Sequence, residues 1–220
     1  MGPIRTALFV PGSRSDRFQK ALDTGADKVI IDLEDAVPTS GKEAAREDVA
    51  GFLNSSANSR IIVRINGVST PYFQDDIDHI IRAAPVSLMV PKVESAQDLE
   101  SANRALLKVE RDASIESGSV HIIALIETAK AVDAISEIVR TRTEPHRLWT
   151  VAFGAADYSA DLGIEMTLDG TELIYPRSKI VVACRAGGLE SPIDTPFIVD
   201  LNNLNALQSD ARLARQVGFQ

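Results

Sequence analysis

The sequence predicts an α/β fold, a (β/α)8 barrel of the TIM type, and three observations predict it. Short β-branched apolar runs alternate with longer amphipathic stretches. Successive runs start about 20 to 40 residues apart, the spacing of βα units rather than hairpins. Most runs end in polar or charged residues, which suits strands whose ends open on one shared mouth.

The runs cover residues 6–10, 28–32, 61–65, 87–90, 121–126 and 150–153, with a weaker one at 189–193. Their nearly unbroken apolar character fits parallel strands buried on both faces. Helical periodicity fills 15–23, 42–53, 73–83, 96–110, 131–139, 172–186 and 204–217. Neither a repeat nor a low-complexity linker divides the chain, so a single barrel domain is expected over 1–220. Seven strands are one short of a closed barrel. The expectation is therefore a (β/α)8 barrel that lacks its eighth strand and C-terminal cap in this chain. An open doubly wound sheet is the alternative that tolerates an odd strand count.

Composition narrows the function. Lys and Arg number 23 against 31 Asp and Glu, a formal charge of −8, which argues against a nucleic-acid footprint or a basic membrane-binding face. No apolar run approaches the roughly 20 residues of a membrane span. The N-terminus shows no apolar signal-peptide core, and a cytoplasmic protein is expected. Cys184 is the single cysteine, so disulfides within the chain and multi-cysteine metal sites are excluded.

The strand ends supply the chemistry. They read Val10-Pro11-Gly12-Ser13-Arg14, Asp32-Leu33-Glu34-Asp35, Arg64-Ile65-Asn66-Gly67, Pro91-Lys92-Val93-Glu94, Glu127-Thr128 and Gly154-Ala155-Ala156-Asp157. Singly, Asp157 or Glu127 could be a helix cap and Arg64 a partner for a surface carboxylate. Together, Glu34, Asp35, Glu127 and Asp157 would repel one another without a cation or a proton between them. Oxygen-only ligands suit Mg2+, which takes one or two protein carboxylates and keeps waters and substrate oxygens. His79, His121 and His146 have no paired ligand spacing, so zinc is not expected. Arg64 offers a planar fork for a substrate carboxylate. Backbone N–H groups at Gly154, Ala155, Ala156 and Asp157 offer an anion seat at a helix start. Lys92 could form a Schiff base, although the surrounding acids favour a charge partner. Dinucleotide, phosphate-loop and serine-nucleophile motifs are absent.

These segments, with Leu8-Phe9-Val10-Pro11-Gly12, Asp32-Leu33-Glu34-Asp35-Ala36-Val37 and Ile193-Asp194-Thr195-Pro196, occur in one order that closely resembles the citrate lyase beta-subunit-like family, within the HpcH/HpaI aldolase and malyl-CoA lyase group. The resemblance covers nearly the whole chain. It implies a modified barrel assembled as a homotrimer or hexamer, with Mg2+ as cofactor and reversible carbon–carbon lyase chemistry on acyl-CoA thioesters. By motif match, Glu127 and Asp157 are the metal ligands and Arg64 the carboxylate-binding residue. Glu34 and Asp35 would line the same mouth and hold metal-bound water. Two departures stand out. The family often has Gly-Ala-Glu-Asp-Leu where this chain has Gly154-Ala155-Ala156-Asp157-Tyr158, and a match to the C-terminal cap that carries an acid/base group is missing.

The implied reaction is Mg2+-dependent cleavage of a 3-hydroxyacyl-CoA, of the citramalyl-, malyl- or citryl-CoA type, into acetyl-CoA and an oxoacid. Arg14, Arg17 and Lys20 are candidates for the CoA phosphates, with a solvated helix face as the plain alternative. An aldolase that works without CoA and a non-catalytic binding or assembly subunit are the rival readings.

Overall fold

The structure is a computed structural model and describes residues 4–56 and 58–219. Among the described residues six strands form one parallel sheet in chain order: β1 (Ala7–Pro11), β2 (Lys28–Asp32), β3 (Ile61–Arg64), β4 (Ser87–Val90), β5 (Ile122–Ile126) and β6 (Leu148–Phe153). Crossover helices connect them: α1 (Phe18–Asp23), α2 (Lys42–Ser56), α3 (Phe73–Ala83), α4 (Ala96–Asp112) and α5 (Ala129–Ile138). After β6 come α6 (Ala155–Leu162), α7 (Ile174–Gly187) and α8 (Leu204–Val217). No described helix is long and apolar enough to cross a membrane.

Alternation along each strand separates two apolar layers. Val29, Ile31, Val63, Leu88, Val90, Ala124 and Val151 face the helices and join one large core with them. Their neighbours Ile30, Ile62, Met89, Ile123, Leu125, Trp149 and Ala152 gather with Ile4 into a second, smaller cluster. That second cluster is the inside of a curled sheet. The Lys28 ammonium, at the start of β2, lies 5.2 Å from the centre of the Trp149 ring on β6. In a flat sheet four strand spacings would hold those strands about 19 Å apart. The sheet therefore bends round on itself as barrels do, and the doubly wound alternative falls.

Elsewhere the structure departs from expectation in small, explicable ways. The run at 189–193 gives one parallel bridge, Ala152 to Ile193, rather than a seventh strand. Ile193 N–H donates to Val151 O at 2.9 Å and Phe153 N–H donates to Ile193 O at 2.9 Å. Pro192 has no N–H to extend the ladder, and the Thr150 hydroxyl bonds to the carbonyls of Glu190 and Ser191 at 3.0 and 3.1 Å. Among the described residues no strand pairs with the outer edge of β1. Of helix α6 the sequence shows only the start, at 154–157, with no periodic stretch after it. The helix is only eight residues long and ends at Gly163 in the left-handed conformation, too short to display a periodic apolar face.

Candidate active site

The C-terminal ends of β2 and β3 are neighbours in register, with Asp32 beside Arg64. Arg64 donates from Nε to Asp32 Oδ1 at 2.7 Å and from Nη2 to Asp32 Oδ2 at 2.6 Å. Its remaining nitrogen, Nη1, lies 3.2 Å from Glu34 Oε2 and 3.4 Å from Asp35 Oδ2. The guanidinium also stacks 5.3 Å from the centre of the Phe9 ring. Burial opposes the charge on Arg64, but Asp32, Glu34 and Asp35 outweigh it and raise its pKa. The expected open fork is thus half closed: Asp32 takes one edge, and Nη1 is what faces the mouth. Asp32 also accepts the N–H groups of Glu34 and Ala36 at 2.9 and 3.0 Å. It therefore shapes the loop that carries Glu34 and Asp35. Sequence reasoning did not assign Asp32 a role. The available signal was an acid and an arginine ending adjacent parallel strands, where register makes them partners.

Glu127 follows β5 and is 1% exposed. Its Oε1 accepts the Lys92 N–H at 2.8 Å. Lys92 adopts φ +52°, a left-handed geometry that costs a non-glycine residue on the order of 1 kcal/mol. Burial raises the Glu127 carboxyl to about 8, helped by Glu34 and Asp157, while the Lys92 N–H and Arg64 pull the other way. Glu34 is pushed to about 7, again by burial first, which outweighs Arg64 and Lys92. Its Oε2 is buried and, despite the nearby Nη1, has no hydrogen-bond partner. The Arg64 guanidinium is its counter-charge.

The Lys92 ammonium is 3.6 Å from Glu34 Oε1. Burial lowers its pKa, but Glu34, Asp35, Glu127 and Asp157 raise it more. With the Glu34 carboxylate at that distance, Lys92 is placed as a charge partner. The charges of Glu34, Asp35, Glu127 and Asp157 all act on Lys92. Asp157 lies in the first turn of α6. Gly154 precedes it for a steric reason: a Cβ there would sit 2.7 Å from Glu127 Cβ and 2.8 Å from Glu127 Oε2. Of the four expected backbone donors, Gly154 N–H is used by Ile126 O at 2.9 Å and Ala155 N–H by Thr195 Oγ1 at 3.0 Å. The anion seat is reduced to Ala156 and Asp157. Arg14, Arg17 and Lys20 are exposed on the segment after β1, and Arg14 is engaged by Asp16 at 2.8 Å.

Among the described residues no three His, Cys, Asp or Glu side chains form a cage that could hold a metal by themselves. A few strand-end carboxylates, Glu127 and Asp157 among them, fit instead an ion that keeps water and substrate oxygens in its shell, the habit of Mg2+.

The chain is similar to several known proteins. The citrate lyase subunit beta of Leuconostoc mesenteroides subsp. cremoris is 34% identical over 217 residues, covering 98% of this chain and 70% of that protein. The L-malyl-CoA/beta-methylmalyl-CoA lyase of Cereibacter sphaeroides is 31% identical over 239 residues, covering 99% of this chain and 73% of that protein. A crystal structure of CitE from Mycobacterium tuberculosis, in complex with magnesium, acetoacetate and coenzyme A, superposes with a TM-score of 0.76 at 30% identity, covering 97% of this chain and 73% of that one. The family model described as HpcH/HpaI aldolase/citrate lyase matches residues 5–220. With strand-end acids, a curled parallel sheet and these similarities in agreement, the chain belongs to the HpcH/HpaI aldolase/citrate lyase family.

Proposed function

We propose that this chain is a magnesium-dependent carbon–carbon lyase that cleaves a 3-hydroxyacyl-CoA of the citramalyl-, malyl- or citryl-CoA type into acetyl-CoA and an oxoacid. The observation that carries the proposal is the Glu127 carboxyl, buried at the end of β5 with its Oε1 held by the Lys92 N–H at 2.8 Å, where burial and the acidic neighbours Glu34 and Asp157 raise its pKa. A site that costs a protein this much is one expected of a functional centre. Glu127 and Asp157 would hold the Mg2+, with Glu34 and Asp35 behind it. When bound, the cation supplies a Lewis acid that stabilises charge developing on the substrate oxygens.

The protein's own groups bind and orient. Arg64 Nη1 and the N–H groups of Ala156 and Asp157 receive the carboxylate of the oxoacid half. Asp32 holds the guanidinium plane still, and the Lys92 ammonium balances the acids around it. Arg17 and Lys20, with Arg14 if it leaves Asp16, meet the CoA phosphates at the exposed rim. The likeness to a malyl-CoA lyase and to a structure holding magnesium, acetoacetate and coenzyme A supports this substrate class. We further propose assembly as a homotrimer or hexamer. Exposed Leu162, Ile164, Leu168, Tyr175, Val182 and Leu201 support that reading, and mass measured in solution tests it.

The functional test is a panel of malyl-, citramalyl- and citryl-CoA, run with Mg2+ beside the corresponding free hydroxy acids. Release of acetyl-CoA from one thioester, with the free acids inert, is expected. Cleavage of a free acid would favour the CoA-independent aldolase. Inertness throughout, with Mg2+ bound, would favour a binding or assembly subunit.

A further inference from the structure

Lys42 opens α2 and is buried. Its ammonium donates to the backbone carbonyls of Leu33 at 2.9 Å and Glu34 at 3.0 Å. The Tyr72 ring centre lies 5.5 Å away, and among the described residues no carboxylate pairs with it. Charge pairing does not explain this placement. A cation at a helix N-terminus opposes the helix dipole, and a buried charge without a counter-charge is costly. What the ammonium does accomplish is mechanical: it grips both carbonyls at the root of the loop bearing Glu34 and Asp35.

The grip is part of a buried truss beneath the mouth. Leu33 O also accepts the Asn66 side-chain amide at 3.1 Å. Asn66 in turn donates to Asp76 Oδ2 at 2.9 Å from its backbone and 2.6 Å from its side chain. Arg46, on the same helix as Lys42, anchors Asp76 Oδ1 at 2.8 Å. Seen from Glu34, Asp32 holds its N–H at 2.9 Å while Lys42 holds its carbonyl at 3.0 Å. Helices α2 and α3 thus fix from below the loop that Asp32 fixes from β2.

We infer that Lys42 is a positioning residue for the reaction at this mouth: by holding the carbonyls of Leu33 and Glu34 it keeps the Glu34 and Asp35 carboxylates in one orientation toward Arg64. This rests on the proposed lyase reading for its catalytic consequence, but not for its structural one. Lys42→Met removes both donors and keeps the aliphatic stem, while Lys42→Arg returns two donors. In Lys42→Met, amides of residues 33–37 exchange at least about tenfold faster, while those of β3 to β5 keep their protection. Losing an outer partner of this kind lowers kcat about ten- to hundredfold with little change in KM, and Lys42→Arg recovers most of it. Combined with Glu34→Gln, the losses in kcat are less than additive, because part of the Lys42 effect runs through the Glu34 carboxylate. Should Lys42→Met fail to fold, Lys42→Gln is read in its place, below its own melting range. Unchanged exchange at 33–37, or acceleration only in step with the whole chain, overturns the inference, as do additive losses. If the wild-type protein turns over none of the thioesters, the lyase reading fails and the exchange comparison alone decides the role of Lys42.

Discussion

Glu127 and Glu34 are the residues on which pH should act. Burial first, then neighbouring acids, raises Glu127 from 4.5 to about 8 and Glu34 from 4.5 to about 7. A group that holds its proton more tightly when folded adds stability that is full below its unfolded pKa and is lost as pH rises through its folded one. The metal-free protein should therefore lose thermal stability between about pH 5 and pH 9. Saturating Mg2+ should flatten that slope, since the cation replaces the protons. Melting midpoints across this range, with and without Mg2+, check it; a flat metal-free profile would contradict the raised values. Residue types at strand ends made these acids visible in the sequence. The state of Arg64 was not visible, because whether its fork is open depends on the register that sets Asp32 beside it. Asp32→Asn should loosen that edge and raise KM for the oxoacid half more than it lowers kcat, measured by steady-state kinetics.

At the scale of elements, the tight meeting of β5 and α6 depends on Gly154. Its φ of −106° suits any residue, so the need for glycine is purely one of space beside Glu127. Gly154→Ala should cost about 1–3 kcal/mol from overpacking and displace the Glu127 carboxyl, seen as a lower urea midpoint together with weaker Mg2+ binding. At the opposite end of the strands, Arg147 is wholly buried and bonds to Glu110 at 2.7 and 2.6 Å, to Asn103 at 2.6 Å and to Val120 O at 3.1 Å. Glu110→Ala strands that charge and should cost about 3–5 kcal/mol, while activity per folded molecule holds, as denaturation and kinetics on one preparation would show. Helices α3 and α8 were legible to the residue, since their apolar spacing is strong and their ends are marked. Helix α6 was not, because one side of a two-turn helix is too few residues to make a pattern. The run at 189–193 read as a strand from its apolar residues, yet Pro192 and the Thr150 hydroxyl leave it only one bridge.

For the molecule as a whole, the curl of the sheet turns scattered strand ends into a single mouth. The inner layer of Ile30, Ile62, Met89, Ile123 and Leu125 fills the space that curling creates. Glu34, Asp35, Arg64, Lys92, Glu127 and Asp157 come from the ends of five successive strands, β2 to β6, yet Glu34, Lys92 and Glu127 each feel the charge of several of the others. That convergence could be inferred from six polar strand ends in sequence; the division of labour among them, with Asp32 and Lys42 holding the loop from two sides, required coordinates. Calorimetric titration of Mg2+ into the wild-type protein and into Glu127→Gln tests the centre of this most directly. One Mg2+ per chain is expected, with affinity falling by more than the ten- to hundredfold of an outer-partner loss in a variant that melts as a folded protein. Equal affinity in the two proteins would show that the cation, if it binds at all, is held somewhere else.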